Sequence, residues 1–284
     1  MGVLLWSIHI SKAAISPTMK KLTLATLLIF SCVTAWAADF DKGVAAYKAG
    51  DFATAFTEFK LMAEQGDAAA QYNLALMYAN GEGVIEDHKE AIKWYRLAAE
   101  QGYASAQNNL AMMYFNGEGV IEDHKEAIKW YRLAAEQGYA AAQSNLGFMY
   151  DKGQGVVEDD KEAVKWYRLA AEQGEETAQS NLGSMYAYGE GVIEDDKEAI
   201  KWYRLAAEQG YAAAQSRLGF MYGTGQGVIQ DNVYAHMWWN LATASGSEKA
   251  RSNKDILVKE MTPQDISKAQ DLARECVKKN YKDC

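Results

Sequence analysis

Proline is nearly absent from this chain: of 284 residues, only Pro17 and Pro263 are prolines. The proline ring fixes φ and removes a backbone N–H, which breaks helix interiors. The long proline-free stretch between those two positions therefore suits an all-helical body. Cysteine is also scarce, with Cys32, Cys276 and Cys284 alone. Two C-terminal cysteines without matching histidines do not make a zinc site. Positive charge is in deficit, with 29 lysines and arginines against 38 acids, a net charge of −9 and a pI near 5.1. An acidic chain repels phosphate backbones and anionic lipid surfaces, so no nucleic-acid partner is expected.

Long apolar runs are missing too, apart from one near the start. Met19-Lys20-Lys21 precedes LTLATLLIFSCVTAWA, and Ala38-Asp39 follows. A positive start, an apolar stretch and a small-x-small site at Ala35-Trp36-Ala37 are the three parts of a secretory signal. The expectation is translation from Met19, cleavage after Ala37 and export to the periplasm, with no stable membrane insertion afterwards. The apolar stretch is too short for a comfortable span. A retained anchor and lipidation at Cys32 are the competing readings, although bulky Phe30 makes Ile29-Phe30-Ser31-Cys32 a poor lipidation site. Residues 1–37 hold three lysines and no acid, so the exported remainder is more acidic still. Two cysteines then remain, and an even count in an oxidising compartment predicts a Cys276–Cys284 disulfide. So short a loop stabilises the C-terminus by about 2 kcal/mol.

What the chain has in abundance is self-similarity. Trp94, Trp130, Trp166, Trp202 and Trp238 recur every 36 residues, and KWYRLAAEQG repeats from positions 93, 129, 165 and 201. A decayed copy starts at Met237, and an earlier one runs through Glu58-Phe59-Lys60-Leu61 to Gly66. A fixed period of this size means stacked supersecondary units. Each unit reads as two helices. In one of them, Ala106, Leu110, Met113 and Tyr114 share a face of the first helix, which ends at Gly117-Glu118-Gly119-Val120. The second starts at Asp123 with Glu126 three residues on, a capping-box pattern. Ala127, Trp130, Tyr131 and Ala134 are expected to form its buried face, and Gly138 closes it. The tryptophan ladder and the ladder of Tyr78, Tyr114, Tyr150, Tyr186 and Tyr222 read as core. Lys93, Arg96 and Glu100 recur on the outer face, where the four-residue spacing of Arg and Glu predicts a solvated, paired surface.

The ladder Ala…Leu-Gly/Ala…Met-Tyr…Gly-x-Gly-Val, then Asp…Ala…Trp-Tyr…Ala-Ala…Gly, resembles the Sel-1-like repeat family of the tetratricopeptide superfamily. It runs from about 67 to 246. The resemblance implies an all-α, right-handed superhelical solenoid of antiparallel helix pairs with a concave face. The expected units are 38–66, 67–102, 103–138, 139–174, 175–210 and 211–246, the first shortened to Gly50-Asp51 between its helices. Residues 247–284 are expected to form a C-terminal helical cap, with a helix over 248–259. A second helix starts at Thr262-Pro263-Gln264-Asp265 and turns Ile266, Ala269, Leu272, Ala273 and Cys276 inward.

Three further sets mark a candidate site. Before the ladder leucine stand Asn73, Asn109, Asn145 and Asn181, then Arg217. Three residues on come Leu76, Met112, Phe148, Ser184 and Phe220, and seven on come Asn80, Asn116, Lys152, Tyr188 and Thr224. Those spacings place them on one helix face. By the resemblance, the first helix lines the concave groove. The amides there suit a partner's backbone, and the variable residues would choose the partner. The competing reading has the asparagines pairing with neighbouring units or water.

A search for chemistry returns little. His88 and His124 sit at equivalent loop positions where later units have Asp160 and Asp196, and they read as surface residues. The clusters Glu158-Asp159-Asp160 and Glu194-Asp195-Asp196 lack the alternating acids of a calcium loop. No nucleophile motif occurs, and the GEG and GQG loops are helix ends, not phosphate cradles. The expectation is a scaffold without catalytic residues, cofactor or metal that binds a protein or peptide partner, as a cell-envelope adaptor or as an immunity protein blocking an antibacterial toxin. The enzymatic alternative is β-lactam binding or hydrolysis, which the resemblance attaches to members with a cysteine pair in each repeat. The repeats here contain no cysteine, so that carry-over fails at every position.

Overall fold

The computed structural model describes residues 39–284, and the predicted signal with Met19, Cys32 and Ala37 lies outside them. The described residues form fourteen α-helices and no strand. The pairs are α1 (Phe40–Lys48) with α2 (Phe52–Glu64), α3 (Ala68–Asn80) with α4 (His88–Glu100), and α5 (Ala104–Asn116) with α6 (His124–Glu136). They continue with α7 (Ala140–Asp151) and α8 (Asp160–Glu172), α9 (Glu176–Tyr188) and α10 (Asp196–Ala207), and α11 (Ala212–Thr224) and α12 (Asn232–Ala244). Then come α13 (Glu248–Leu257), a 3₁₀ turn at Val258–Glu260 and α14 (Pro263–Lys278). Consecutive helices pack on one another from α1 through α13, and α14 folds back on α12. This is a solenoid of antiparallel helix pairs closed by a helical cap.

Local chemistry sets the boundaries. Gly117 ends α5 at φ 71°, a left-handed backbone that costs glycine nothing. The carboxylate of Asp123 accepts from the Lys125 and Glu126 N–H groups at 3.0 Å each and so opens α6. The capping box is only half made. The Asp123 N–H donates instead to the Tyr114 carbonyl at 2.8 Å, tying the loop to α5, and Glu126 pairs with Lys129. The second glycine of each loop answers to the preceding unit. A Cβ on Gly155, at φ 71°, would stand 2.3 Å from the His124 carbonyl oxygen. The G-x-G therefore both stops a helix and lets consecutive units touch.

The expected core face holds in part. Ala106, Leu110, Met113 and Tyr114 are buried, as are Ala127, Tyr131 and Ala134. The tryptophan ladder needs correction: Trp94, Trp130 and Trp202 are only half-buried, packed against the core and not within it. The centre belongs to Tyr95, Tyr131, Tyr167 and Tyr203, none more than 3% exposed. These rings press on a row of small residues. The Tyr167 ring lies where a Cβ on Gly147 would be 2.8 Å away, so only a glycine or a slight shift fits. Trp238 alone is fully buried, because the cap residues Ala273 and Cys276 join its cluster.

Two ladders join consecutive units. Buried Gln107 donates to the Ala99 carbonyl at 3.0 Å and accepts from Gln137 at 2.7 Å. Gln143 and Gln173 repeat the pattern one unit on. The outer face also differs from expectation, since Arg96 does not pair with Glu100. It donates to the Tyr114 hydroxyl of the next unit, with its guanidinium 5.8 Å from the ring centre. Arg132, Arg168 and Arg204 do the same to Tyr150, Tyr186 and Tyr222 at 2.6–2.9 Å. The phenol edge offers Arg an acceptor and a π-face together, which an exposed carboxylate does not. The tyrosines at 150, 186 and 222 are accordingly half-buried bridges between units.

In the cap, the Thr262 hydroxyl accepts from the Asp265 N–H at 3.2 Å, with Pro263 in the first turn. Ala269, Ala273 and Cys276 are buried while Ile266 and Leu272 are half-buried. Cys276 and Cys284 meet at bonding distance with Cα atoms 5.3 Å apart.

Candidate partner-binding groove

The first helices of successive units, α3, α5, α7, α9 and α11, turn one face to solvent between neighbours. Met112, Phe148 and Phe220 stand on it 41%, 38% and 45% exposed, and Tyr188 is 56% exposed. Leu76 and Ser184, at the positions of Met112 and Phe148, are half-buried. Asn80, Asn116, Lys152 and Thr224 are exposed. These side chains give the face an apolar character that the core ladders do not require.

The asparagine row is half-buried, and each member already has a contact within the fold. Asn73 donates to the Ala69 carbonyl at 2.8 Å, and Asn109 to the Tyr95 hydroxyl at 3.2 Å. Asn145 donates to the Asn108 carbonyl oxygen of the preceding unit at 3.2 Å, and Asn181 adjoins the Tyr167 hydroxyl. Each amide keeps further hydrogen-bonding capacity, since it has two donors and an acceptor with two lone pairs. At the seventh position, Asn116 reaches Glu118 at 3.0 Å and Lys152 pairs with Asp151 at 3.0 Å. Burial raises the hydroxyls of Tyr95, Tyr131, Tyr167 and Tyr203 above the ordinary phenol range. The groove floor is therefore neutral, an array of phenol and amide groups.

Two clefts open between these helices. One of about 230 Å³ lies between α5 and α7, floored by Tyr131 and Met149 and walled by Met112, Phe115 and Phe148, with Asn116 and Asn145 at its rim. Its counterpart of about 200 Å³, between α9 and α11, has Tyr203 and Met221 in the floor and Phe220 in the wall. There the rim is Tyr188 and Arg217. The Arg217 guanidinium donates to the Tyr188 hydroxyl at 2.8 Å and lies 5.7 Å from that ring's centre.

One feature lies outside the sequence-derived site. Ile85, Ile121, Val157, Ile193 and Ile229 are 84–91% exposed, one per unit, in the loops between the paired helices. Their signal in the sequence is an aliphatic residue held between the Gly-x-Gly-Val stop and the Asp cap, where no packing requires one. Among the described residues, His88 and His124 stand beside Glu86 and Glu122 at 3.2 Å each, and no group of acids, histidines and cysteines is arranged to hold a metal. No described helix is long and apolar enough to cross a membrane.

A right-handed stack of helix pairs, joined by repeated polar ladders and presenting a face of exposed aromatics and half-buried amides, defines a helical-repeat scaffold. The Sel1 repeat model matches residues 68–103, 104–139, 140–175, 177–211 and 212–247, and the chain belongs to the Sel1 repeat family. Among solved structures, it is similar to a Sel1 repeat protein from Oxalobacter formigenes. That protein is 35% identical, with a TM-score of 0.72 over 84% of this chain and 100% of its own. It is also similar to a protective antigen present in uropathogenic Escherichia coli strains displaying an SLR fold, at 39% identity and a TM-score of 0.70. The match covers 78% of this chain and 48% of the antigen, so the chain spans about half of that protein's length. No curated protein matches this sequence. An immunity protein from Pseudomonas aeruginosa aligns at 19% identity over 73% of this chain and 83% of its own with a TM-score of 0.48, and that likeness carries no functional argument.

Proposed function

We propose that this protein is an exported, non-catalytic adaptor of the cell envelope that holds a protein partner in the groove lined by α3, α5, α7, α9 and α11. One observation carries the reading. Among units of otherwise near-identical sequence, two positions of the first helix vary and leave large side chains exposed on one face: Met112, Phe148 and Phe220 at one, and Tyr188 at the other. A solenoid's core ladders are fixed by packing, whereas its concave surface is free to follow a partner. Asn109, Asn145 and Asn181 contribute amide hydrogen bonds to the partner's backbone from beneath that row. Export is supported by the signal-like segment Met19 to Ala37 and by a cysteine pair at bonding distance in the C-terminal cap, because such bonds persist in oxidising compartments.

The test is a comparison of tagged full-length chains expressed in the organism of origin, crosslinked in intact cells and recovered from the periplasmic fraction. A partner captured by the wild type and lost with Met112→Ser, Phe148→Ser and Phe220→Ser combined supports the reading. These side chains are 38–45% exposed and also pack against their neighbours, so circular dichroism of the triple variant accompanies the capture to confirm that it is folded. A partner retained by the triple variant places binding elsewhere, and a chain recovered only from the cytoplasm removes the export claim.

A further inference from the structure

The cleft that recurs along the groove changes character at its last position. Between α5 and α7 the rim is Asn116 and Asn145, and at the equivalent positions between α9 and α11 it is Tyr188 and Arg217. The floor keeps its chemistry, with Tyr203 in place of Tyr131 and Met221 in place of Met149. Beyond Arg217 the groove does not end. A second cavity of about 530 Å³ opens on the other side of the Arg217–Tyr188 pair, where α13 of the cap closes it with Ser247, Lys249 and Asn253. The two cavities share Tyr188, Arg217 and Phe220.

This cavity holds two cations in a protein of net charge −9. No acidic side chain lines it, and neither Arg217 nor Lys249 has a carboxylate partner among the described residues. Glu248, the neighbouring acid, is engaged by Arg251 at 2.9 Å. Tyr188 holds the guanidinium through one nitrogen, which leaves the other N–H donors of its planar fork for a ligand. Such a fork matches a carboxylate in shape and charge. On the near side, Phe220, Tyr203 and Met221 offer an apolar pocket within one side chain's reach of the same guanidinium.

We propose that this end of the groove is a carboxylate-recognition site, which takes from the partner a carboxylate group flanked by a large apolar side chain. Arg217 and Lys249 bind the carboxylate in the larger cavity, and the apolar side chain enters the smaller cleft beside Phe220. Because the equivalent cleft two units earlier carries amides in place of the cation, the carboxylate fixes the direction in which a partner segment lies. This rests on the groove reading above. The carboxylate belongs either to an acidic side chain or to a chain terminus, and the two sources share the same chemistry at Arg217.

Three acetylated pentapeptides of otherwise identical sequence separate these cases. One ends in aspartate–phenylalanine amide, one in asparagine–phenylalanine with a free terminus, and one in asparagine–phenylalanine amide. Binding to the full-length protein is followed by NMR at the Arg217 and Tyr188 side chains. At least one of the carboxylate peptides is expected to bind roughly tenfold more tightly than the uncharged one. Arg217→Asn, which installs the residue that four earlier units carry at this position, removes that advantage, read as the ratio of carboxylate-peptide to uncharged-peptide affinity within the same variant. Lys249→Gln weakens the carboxylate peptides alone, and so does added salt. Equal affinity for all three peptides overturns the proposal. So does unchanged carboxylate binding in Arg217→Asn, or no carboxylate binding up to about 1 mM. The groove reading is judged separately: it survives a failure here if the triple serine variant still loses the captured partner, and it falls if that variant keeps it.

Discussion

At the scale of single residues, departures from the repeat say more than its conserved positions. His236 occupies the place held by Ile92, Ile128, Val164 and Ile200 in other units and is just as buried, at 2% exposure. Burial, with Lys254 nearby, holds its pKa below the ordinary imidazole value. Its Nδ1 is buried without a partner. A histidine kept neutral when folded binds fewer protons than the same residue unfolded, so stability rises with pH across the interval between the two pKa values. The stability difference appears as the pH falls below about 6.5, the unfolded value. His236→Ile is expected to flatten the acid side of the urea-unfolding profile between neutral and mildly acidic pH and leave the alkaline side unchanged. An unchanged slope assigns the acid sensitivity to other groups. The histidine is visible in the sequence as a break in an aliphatic ladder whose other members are buried, but the missing partner of its Nδ1 is not.

At the scale of the element, boundaries were legible and partnerships were not. Each Asp cap, each αL glycine and the Thr262-Pro263 start can be read directly, since these residues satisfy or relax the backbone at one place in the chain. Glu126, Arg96 and Trp130 show the other case. Periodicity locates a helix face, but neighbouring residues lie only about 100° apart around the axis. Trp130 and Tyr131 therefore competed for the centre, and packing against the small-residue row gave it to tyrosine. Arg96 had a carboxylate in its own helix and took a phenol in the next unit, which no local pattern encodes. The loop glycines offer a sharp test of inter-unit contact. Gly155 and Gly138 both have positive φ, but a Cβ at Gly138 meets nothing within 4 Å. Each alanine substitution loses about 1 kcal/mol to backbone conformation. Gly155→Ala is expected to lose clearly more, because its Cβ meets the His124 carbonyl, and urea midpoints compare the two. Equal losses contradict the close approach of the units.

At the scale of the molecule, stacking makes a surface that no single unit contains. The exposed face of α5, α7, α9 and α11 was marked by comparing units at fixed helical spacing, although buried positions such as Asn108 and Ser144 vary too. Lys249, Ser247 and Asn253 were beyond that comparison. They lie in the cap, outside the repeat, and reach Arg217 only because the superhelix brings α13 alongside α11. The asparagine row shows the reverse limit: its regularity marked it, and its amides already bond within the fold. The same stacking gives the opposite face its exposed leucines, Leu97, Leu133, Leu169 and Leu205, at 38–45% exposure. Exposure alone therefore does not distinguish the two faces, and an experiment that does is the most direct test of the account.

That experiment places a photo-crosslinking phenylalanine analogue at Phe148 on the groove face or at Leu133 on the opposite face, in the full-length chain in living cells. Both positions are exposed to similar degrees, 38% and 45%, so access to light and solvent is matched. The account predicts one discrete adduct from position 148 that is absent from position 133 and competed by untagged wild-type protein. An adduct from position 133 with none from position 148 contradicts it, and places the partner on the convex face.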